Sequence, residues 1–194
     1  NLIRCSKMQG HMNKLLGKCE VHPATLFNEN GTSPIVLICE HASNRLPKSL
    51  GTLGLSDADL QRHIAWDIGA EGTSRILSKL LAAPLILQNY SRLAYDCNRP
   101  PEAEGAMPEL SEVFEVHGNK NLLPSARLAR TTEIYRPFHR AIEDFLDKRA
   151  AEKRPTIIVT MHSFTPVYKG KPREFDVGFL FDRDNWLANF LVKA

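Results

Sequence analysis

Two histidines stand where a chain places metal ligands. His41 follows the apolar run Pro34-Ile-Val-Leu-Ile-Cys39, and His162 follows Thr156-Ile-Ile-Val-Thr-Met161. Neutral imidazole is the commonest protein ligand for zinc, and a catalytic zinc takes three protein ligands and leaves a fourth position open. Either histidine alone reads as structural; two at the ends of parallel strands read as a pair. Asp67, within His63-Ile-Ala-Trp-Asp-Ile-Gly69, is the candidate third ligand, because a carboxylate among apolar neighbours is costly to bury without a partner. Its local alternative is a pair with His63, four residues earlier on the same helical face. Asn44, three residues after His41, is the rival ligand, although amides bind zinc poorly.

The densest polar cluster is Tyr90-Ser-Arg-Leu-Ala-Tyr-Asp-Cys-Asn-Arg-Pro100. Arg92 and Arg99 could each grip a carboxylate through a bidentate fork, with Asn98 and Asn44 as further substrate-binding candidates. Asp96 could orient an arginine or a catalytic group. The alternative is a polar turn held by Asp and Asn side chains. His139, in Tyr135-Arg-Pro-Phe-His139, reads on its own as a packed core residue rather than a catalyst.

These residues need elements to position them. Residues 34–39, 84–90, 156–161 and 177–181 carry the apolar, β-branched composition of buried strands. Ser56 and Asp59 form a capping-box pattern. It opens a helix that Leu60, Ile64, Ile68, Ile76, Leu77 and Leu80 carry to about Leu81, with Gly69 and Gly72 marking a bend or close packing. Residues 125–150 form another helix, kinked at Pro137, and Asp184 can cap a last one. Between them, residues 91–124 make a long loop, and a long loop in a compact domain is functional or mobile. Strands alternating with helices predict an α/β fold with a mostly parallel sheet, whose ligands bind at the carboxyl ends of the strands.

Composition narrows the function classes. The 194 residues suit one domain with a sizeable core. Basic residues are scattered through a net charge of +3, and residues 127–154 interleave them with Glu133, Glu143, Asp144 and Asp147. That is a solvated helix face, so no nucleic-acid partner is expected. Apolar runs are too short to cross a bilayer and no leader is evident, so the expectation is a cytoplasmic protein with no membrane partner. Cys5, Cys19, Cys39 and Cys97 lack C-x-x-C spacing, and Cys39 reads as a buried thiol. Gly10-His-Met12 resembles a cloning scar, which assigns residues 1–11 to a vector-derived or disordered start and 12–194 to a single domain. Residues 185–194 read as a helix that stops, so the natural domain is expected to continue. Oligomeric state is not legible.

Together, Cys39-Glu-His-Ala-Ser-Asn44, His63-Ile-Ala-Trp-Asp-Ile-Gly-Ala70, Ser91-Arg-Leu-Ala-Tyr-Asp-Cys-Asn-Arg-Pro-Pro101, Glu133-Ile-Tyr-Arg-Pro-Phe-His139 and His162-Ser-Phe-Thr-Pro166 resemble the N-formylglutamate amidohydrolase family. The likeness runs from about Ser33 to Asp184. It implies a fold similar to zinc-dependent exopeptidases: a three-layer α/β/α sandwich, phosphorylase/hydrolase-like, with the metal at the carboxyl edge of the sheet. It also implies His41 and His162 as zinc ligands. The exopeptidase pattern has Glu three residues after the first histidine, where this chain has Asn44, and Asp67 is the favoured third ligand.

The activity implied is hydrolysis of the formyl amide of N-formyl-L-glutamate, or a similar N-acyl amino acid, in the setting of histidine degradation. No G-x-S-x-G elbow offers a covalent route. The general base is an acid beyond Ala194, where the family continues, or Asp96 or His139; residues 102–123 could close as a lid. Two alternatives stay open. One is an amidase acting on a peptide or peptidoglycan amide. The other is a non-catalytic module that captures an acidic metabolite with Arg92 and Arg99.

Overall fold

The computed structural model describes residues 14–168, 170–183 and 185–193. Residues 1–11, with Cys5, and the expected cap Asp184 lie outside the described residues. The chain runs β1 (Ala24–Phe27), β2 (Ile35–Cys39), α1 (Asp57–Leu60), α2 (Ala70–Leu80) and β3 (Leu85–Gln88). A small hairpin, β4 (Leu110–Ser111) and β5 (Phe114–Glu115), precedes α3 (Pro124–Arg130), α4 (Arg136–Ala151) and β6 (Ile157–Thr160). A second hairpin, β7 (Val167–Tyr168) and β8 (Lys171–Pro172), and α5 (Trp186–Lys193) follow. These residues fall into two compact units that divide between Phe164 and Thr165.

The first unit is built on a four-stranded sheet of order β1-β3-β2-β6. β3 and β6 flank β2 in parallel, and β1 adds an antiparallel edge, so the fold is a mixed α/β arrangement. Side chains alternate across a strand, and β2 divides its residues accordingly. Val36 and Ile38 join one core cluster with Phe138 and Phe145 of α4. Leu37 and Cys39 join another with Ala70 and Leu77 of α2. Continuous apolar composition was the signal for burial on both faces, and β2 and β3 carry it; β6, expected to be buried too, lies at the end of the described sheet with Ile158 50% exposed.

The helix expected from Ser56 to Leu81 is two helices. Ser56 caps α1 by accepting the Asp59 N–H at 3.1 Å, but α1 ends at Leu60. The chain re-enters helix after Gly69, whose φ of 83° is a left-handed conformation that glycine adopts without Cβ strain. Gly72 marks nothing of the kind; it lies inside α2 with open space where a Cβ would stand. The expected stripe is split: Ile64 is buried and Leu77 packs on the core, but Ile68 is 53%, Ile76 60% and Leu80 76% exposed. α2 buries Ala70, Ser74 and Ser78 instead. Small side chains admit a close approach to the sheet, and the hydroxyls are satisfied locally, Ser74 donating to the Ala70 carbonyl and Ser78 to that of Ala83.

The irregularity near Pro137 is a π-helical turn, Thr131–Tyr135, between α3 and α4. Proline cannot donate to the carbonyl four residues back. The wider turn, closed by the Arg136 N–H on the Thr131 carbonyl, lets the helix continue through it.

In the second unit, the run 177–181, expected as a fourth strand, forms none and is exposed throughout. Its composition suits a strand, but a strand needs a partner, and among the described residues none pairs with it. The fourth position in the main sheet belongs to β1, a four-residue segment too short to stand out in the sequence.

The buried Arg149 joins α4 to the starts of two strands. It donates to Thr156 Oγ1 at 2.9 Å and to the carbonyls of Ser33 at 3.0 Å and Pro155 at 2.8 Å. Arg149→Met should therefore lower stability by about 1.5–2 kcal/mol, the loss of charge-assisted hydrogen bonds to part-buried acceptors, read from urea unfolding. A loss below about 1 kcal/mol would mean that water replaces these bonds.

Candidate metal centre

Parallel pairing of β2 with β3 and β6 sends three loops off one edge of the sheet. His41 stands just past β2, Arg92 and Asp96 in the loop after β3, and His162 just past β6. Asp67 comes from the turn between α1 and α2. It is fixed by its own N–H, which donates to the His41 carbonyl at 2.9 Å. Ser91 holds the adjoining loop, its hydroxyl on the Ala65 carbonyl at 2.7 Å.

His41, Asp67 and His162 each bring one donor atom to a common point, all within 4.8 Å of one another. Asp67 Oδ2 accepts from His162 Nδ1 at 2.9 Å and from the Ser163 N–H at 3.1 Å, and lies 3.5 Å from His41 Nδ1. Asp67 Oδ1 pairs with Arg92. The local alternative for Asp67, a pair with His63, is not formed; His63 meets Glu112 at 2.9 Å.

Asp96 sits behind His41, its Oδ1 2.7 Å from His41 Nε2 and accepting the Asn98 N–H at 3.0 Å. Burial works to raise this carboxyl. The bond from His41, that histidine's charge, the Asn98 N–H and Arg92 outweigh burial and hold it below the usual range. Burial in turn draws the Arg92 guanidinium down and lowers His162, the latter against the pull of Glu40.

Glu40 has no role in the sequence reading, although it lies in the motif. It is 7% exposed, and its Oε2 is buried, without a hydrogen-bond partner, 3.6 Å from His162 Nε2. Burial raises its carboxyl above the usual range, with His162 and His41 opposing. The available signal was an acid placed directly between a wholly apolar strand and a candidate ligand.

The other candidates stand apart from this point. The Asn44 amide donates to the Leu60 carbonyl at 2.9 Å. Asn98 and Arg99 are exposed. His139 Nε2 is 3.0 Å from the Cys97 carbonyl, and its ring lies 4.2 Å from that of Tyr135, a packed setting beside the Asp96 loop. Burial pushes the Cys39 thiol up to about 11 and Cys97 higher still, so neither supplies a thiolate nucleophile near neutral pH.

Removing the Asp96 carboxylate leaves His41 Nε2 and the Asn98 N–H without the acceptor they share. Asp96→Ala should lose about 2 kcal/mol of stability in thermal or chemical unfolding, and Asp96→Asn should recover part of it. Equal stability of all three proteins would show that the 2.7 Å contact contributes nothing net.

A family model described as N-formylglutamate amidohydrolase matches residues 33–194. Among solved structures, the crystal structure of a gene product from Agrobacterium tumefaciens is 42% identical, superposes with a TM-score of 0.90, and the match covers 92% of this chain and 71% of that one. No curated protein matches the chain. With the family model spanning most of its length and the same fold in a closely similar structure, the chain belongs to the N-formylglutamate amidohydrolase family, a family of amidohydrolases.

Proposed function

We propose that this protein hydrolyses the amide of N-formyl-L-glutamate, or of a similar N-acyl amino acid, to formate and the amino acid, with zinc held by His41, Asp67 and His162. The observation that carries this reading is the buried His41 Nδ1. It has no hydrogen-bond partner and faces Asp67 Oδ2 at 3.5 Å, while the opposite nitrogen of the ring is occupied by Asp96. Ligands about 2.0–2.2 Å from a tetrahedral zinc stand roughly 3.3–3.6 Å apart, so this spacing fits. Two imidazoles and one carboxylate are also a donor set that catalytic zinc sites use.

When bound, zinc supplies Lewis acidity that polarises a carbonyl and makes water nucleophilic near pH 7. The chain's own groups supply the rest. Asp96 holds the His41 ring, and Arg92 and the Ser163 N–H hold the Asp67 carboxylate. Arg92 Nε is buried without an acceptor, which suits it to a substrate oxygen. Arg99, exposed on the same loop, is suited to a second carboxylate. Residues 102–123 serve as the lid, with the β4–β5 hairpin resting on the α1–α2 turn through His63–Glu112 and through Arg62 over the Phe114 ring at 5.2 Å.

The fold belongs to the same reading: a three-layer α/β/α sandwich of the zinc-exopeptidase kind, supported by the division of β2 between α2 and α4. Among the described residues no helix is long and apolar enough to cross a membrane. A cytoplasmic role in histidine degradation is the setting the family likeness suggests.

The test is formate release from N-formyl-L-glutamate before and after chelation, with elemental analysis of the purified protein. Roughly one zinc per chain is expected, with turnover lost on chelation and restored by zinc. His41→Ala and His162→Ala should abolish both. Turnover indifferent to chelation would sink the metal reading, and tight binding without turnover would favour a capture module. For Arg92→Ala, kcat/KM should fall about 10- to 150-fold, the range for losing one charge-assisted contact. An unchanged kcat/KM would remove Arg92 from the substrate site.

A further inference from the structure

Each histidine of the centre turns one ring nitrogen toward Asp67 and the other toward a second carboxylate. For His41 these are Nδ1, 3.5 Å from Asp67 Oδ2, and Nε2, 2.7 Å from Asp96 Oδ1. For His162 they are Nδ1, 2.9 Å from the same Asp67 oxygen, and Nε2, 3.6 Å from Glu40 Oε2. The first pair is a formed hydrogen bond. The second is too long for one.

The difference follows from where the proton sits. A neutral imidazole carries one N–H. With Asp67 ionised beside Arg92, the 2.9 Å bond to His162 places that proton on Nδ1. Nε2 then has nothing to give Glu40, and Glu40 Oε2 is left buried with no donor. A cation taken by Nδ1 must displace its proton, and the neutral ring then carries it on Nε2, directly opposite that oxygen.

We infer that Glu40 is the positioning residue for His162: on metal loading its Oε2 accepts the Nε2–H, as Asp96 Oδ1 already does for His41. The inference rests on the metal reading above. It explains why an acid is buried between Cys39 and His41 with one oxygen unsatisfied, since a stranded buried acceptor otherwise only costs stability. It also makes the end of β2 answerable for both imidazoles, with His41 as one ligand and Glu40 as the holder of the other.

The test uses the whole chain, purified without metal, and follows zinc affinity by chelator competition and the histidine tautomers by long-range nitrogen–proton NMR. In the wild-type protein, zinc should move the His162 proton from Nδ1 to Nε2. Glu40→Leu should bind zinc about 10- to 100-fold more weakly, the usual cost of losing the partner of a ligand histidine. Glu40→Gln, whose amide oxygen still accepts, should stay within about tenfold of wild type, and circular dichroism checks that both variants fold. Glu40→Leu matching wild type in zinc affinity would overturn the inference while leaving the metal reading intact. So would a His162 that keeps its Nδ1 proton with zinc bound. A wild-type chain that takes up no zinc would overturn the metal reading and this inference with it.

Discussion

The carboxylate of Asp67 is buried, and everything around it is arranged to make that tolerable. An isolated carboxylate moved out of water loses several kcal/mol of solvation even after relaxation, and recovers it only from close charges and well-placed donors. Arg92 faces Oδ1, while His162 and the Ser163 N–H reach Oδ2. Arg92 comes from the loop after β3, His162 and Ser163 from the loop after β6, and Asp67 itself from the turn after α1. One side chain thereby ties three separate connections of the sheet together.

This explains why the turn between α1 and α2 is not helical. A continuous helix from Ser56 to Leu81 would carry Asp67 with a local i, i+4 neighbour and leave it dependent on helix position alone. Breaking the helix lets the Asp67 N–H bond to the His41 carbonyl. Gly69, with its positive φ, restarts the helix immediately afterwards. The carboxylate is thus held by backbone at one end and by charge at the other.

The long segment after β3 is held by the same kind of bond, using cations without acids. Arg130 is buried and donates to the Ala94 carbonyl at 3.2 Å and to Asn119 Oδ1 at 2.6 Å. Asn119 in turn donates to the carbonyls of Leu93 and Pro108. Burial lowers the Arg130 guanidinium to about 10, so it stays charged at neutral pH. A cation bonded to carbonyl oxygens fixes the loop that carries Arg92 and Asp96, and leaves the β4–β5 hairpin at its periphery as the part resting on side-chain contacts.

Much of this was legible in the sequence because it depends on local composition. Continuous apolar runs marked β2, β3 and β6, and the parallel rule placed His41, Arg92 and His162 on one edge. An acid among apolar neighbours singled out Asp67. What tertiary structure alone decided was which partner each polar group takes, because pairing is set by atoms brought together from distant parts of the chain. His63 met Glu112 rather than Asp67, Asn44 turned to the Leu60 carbonyl, and Asp96 settled behind His41. Periodicity misplaced the outward face of α2 because Ala70, Ser74 and Ser78 pack closer than the larger Ile76 and Leu80 could. Residues 177–181 have a strand's composition and no strand's partner. A hydrophobic pattern reports what can be buried; only the assembled sheet determines what is.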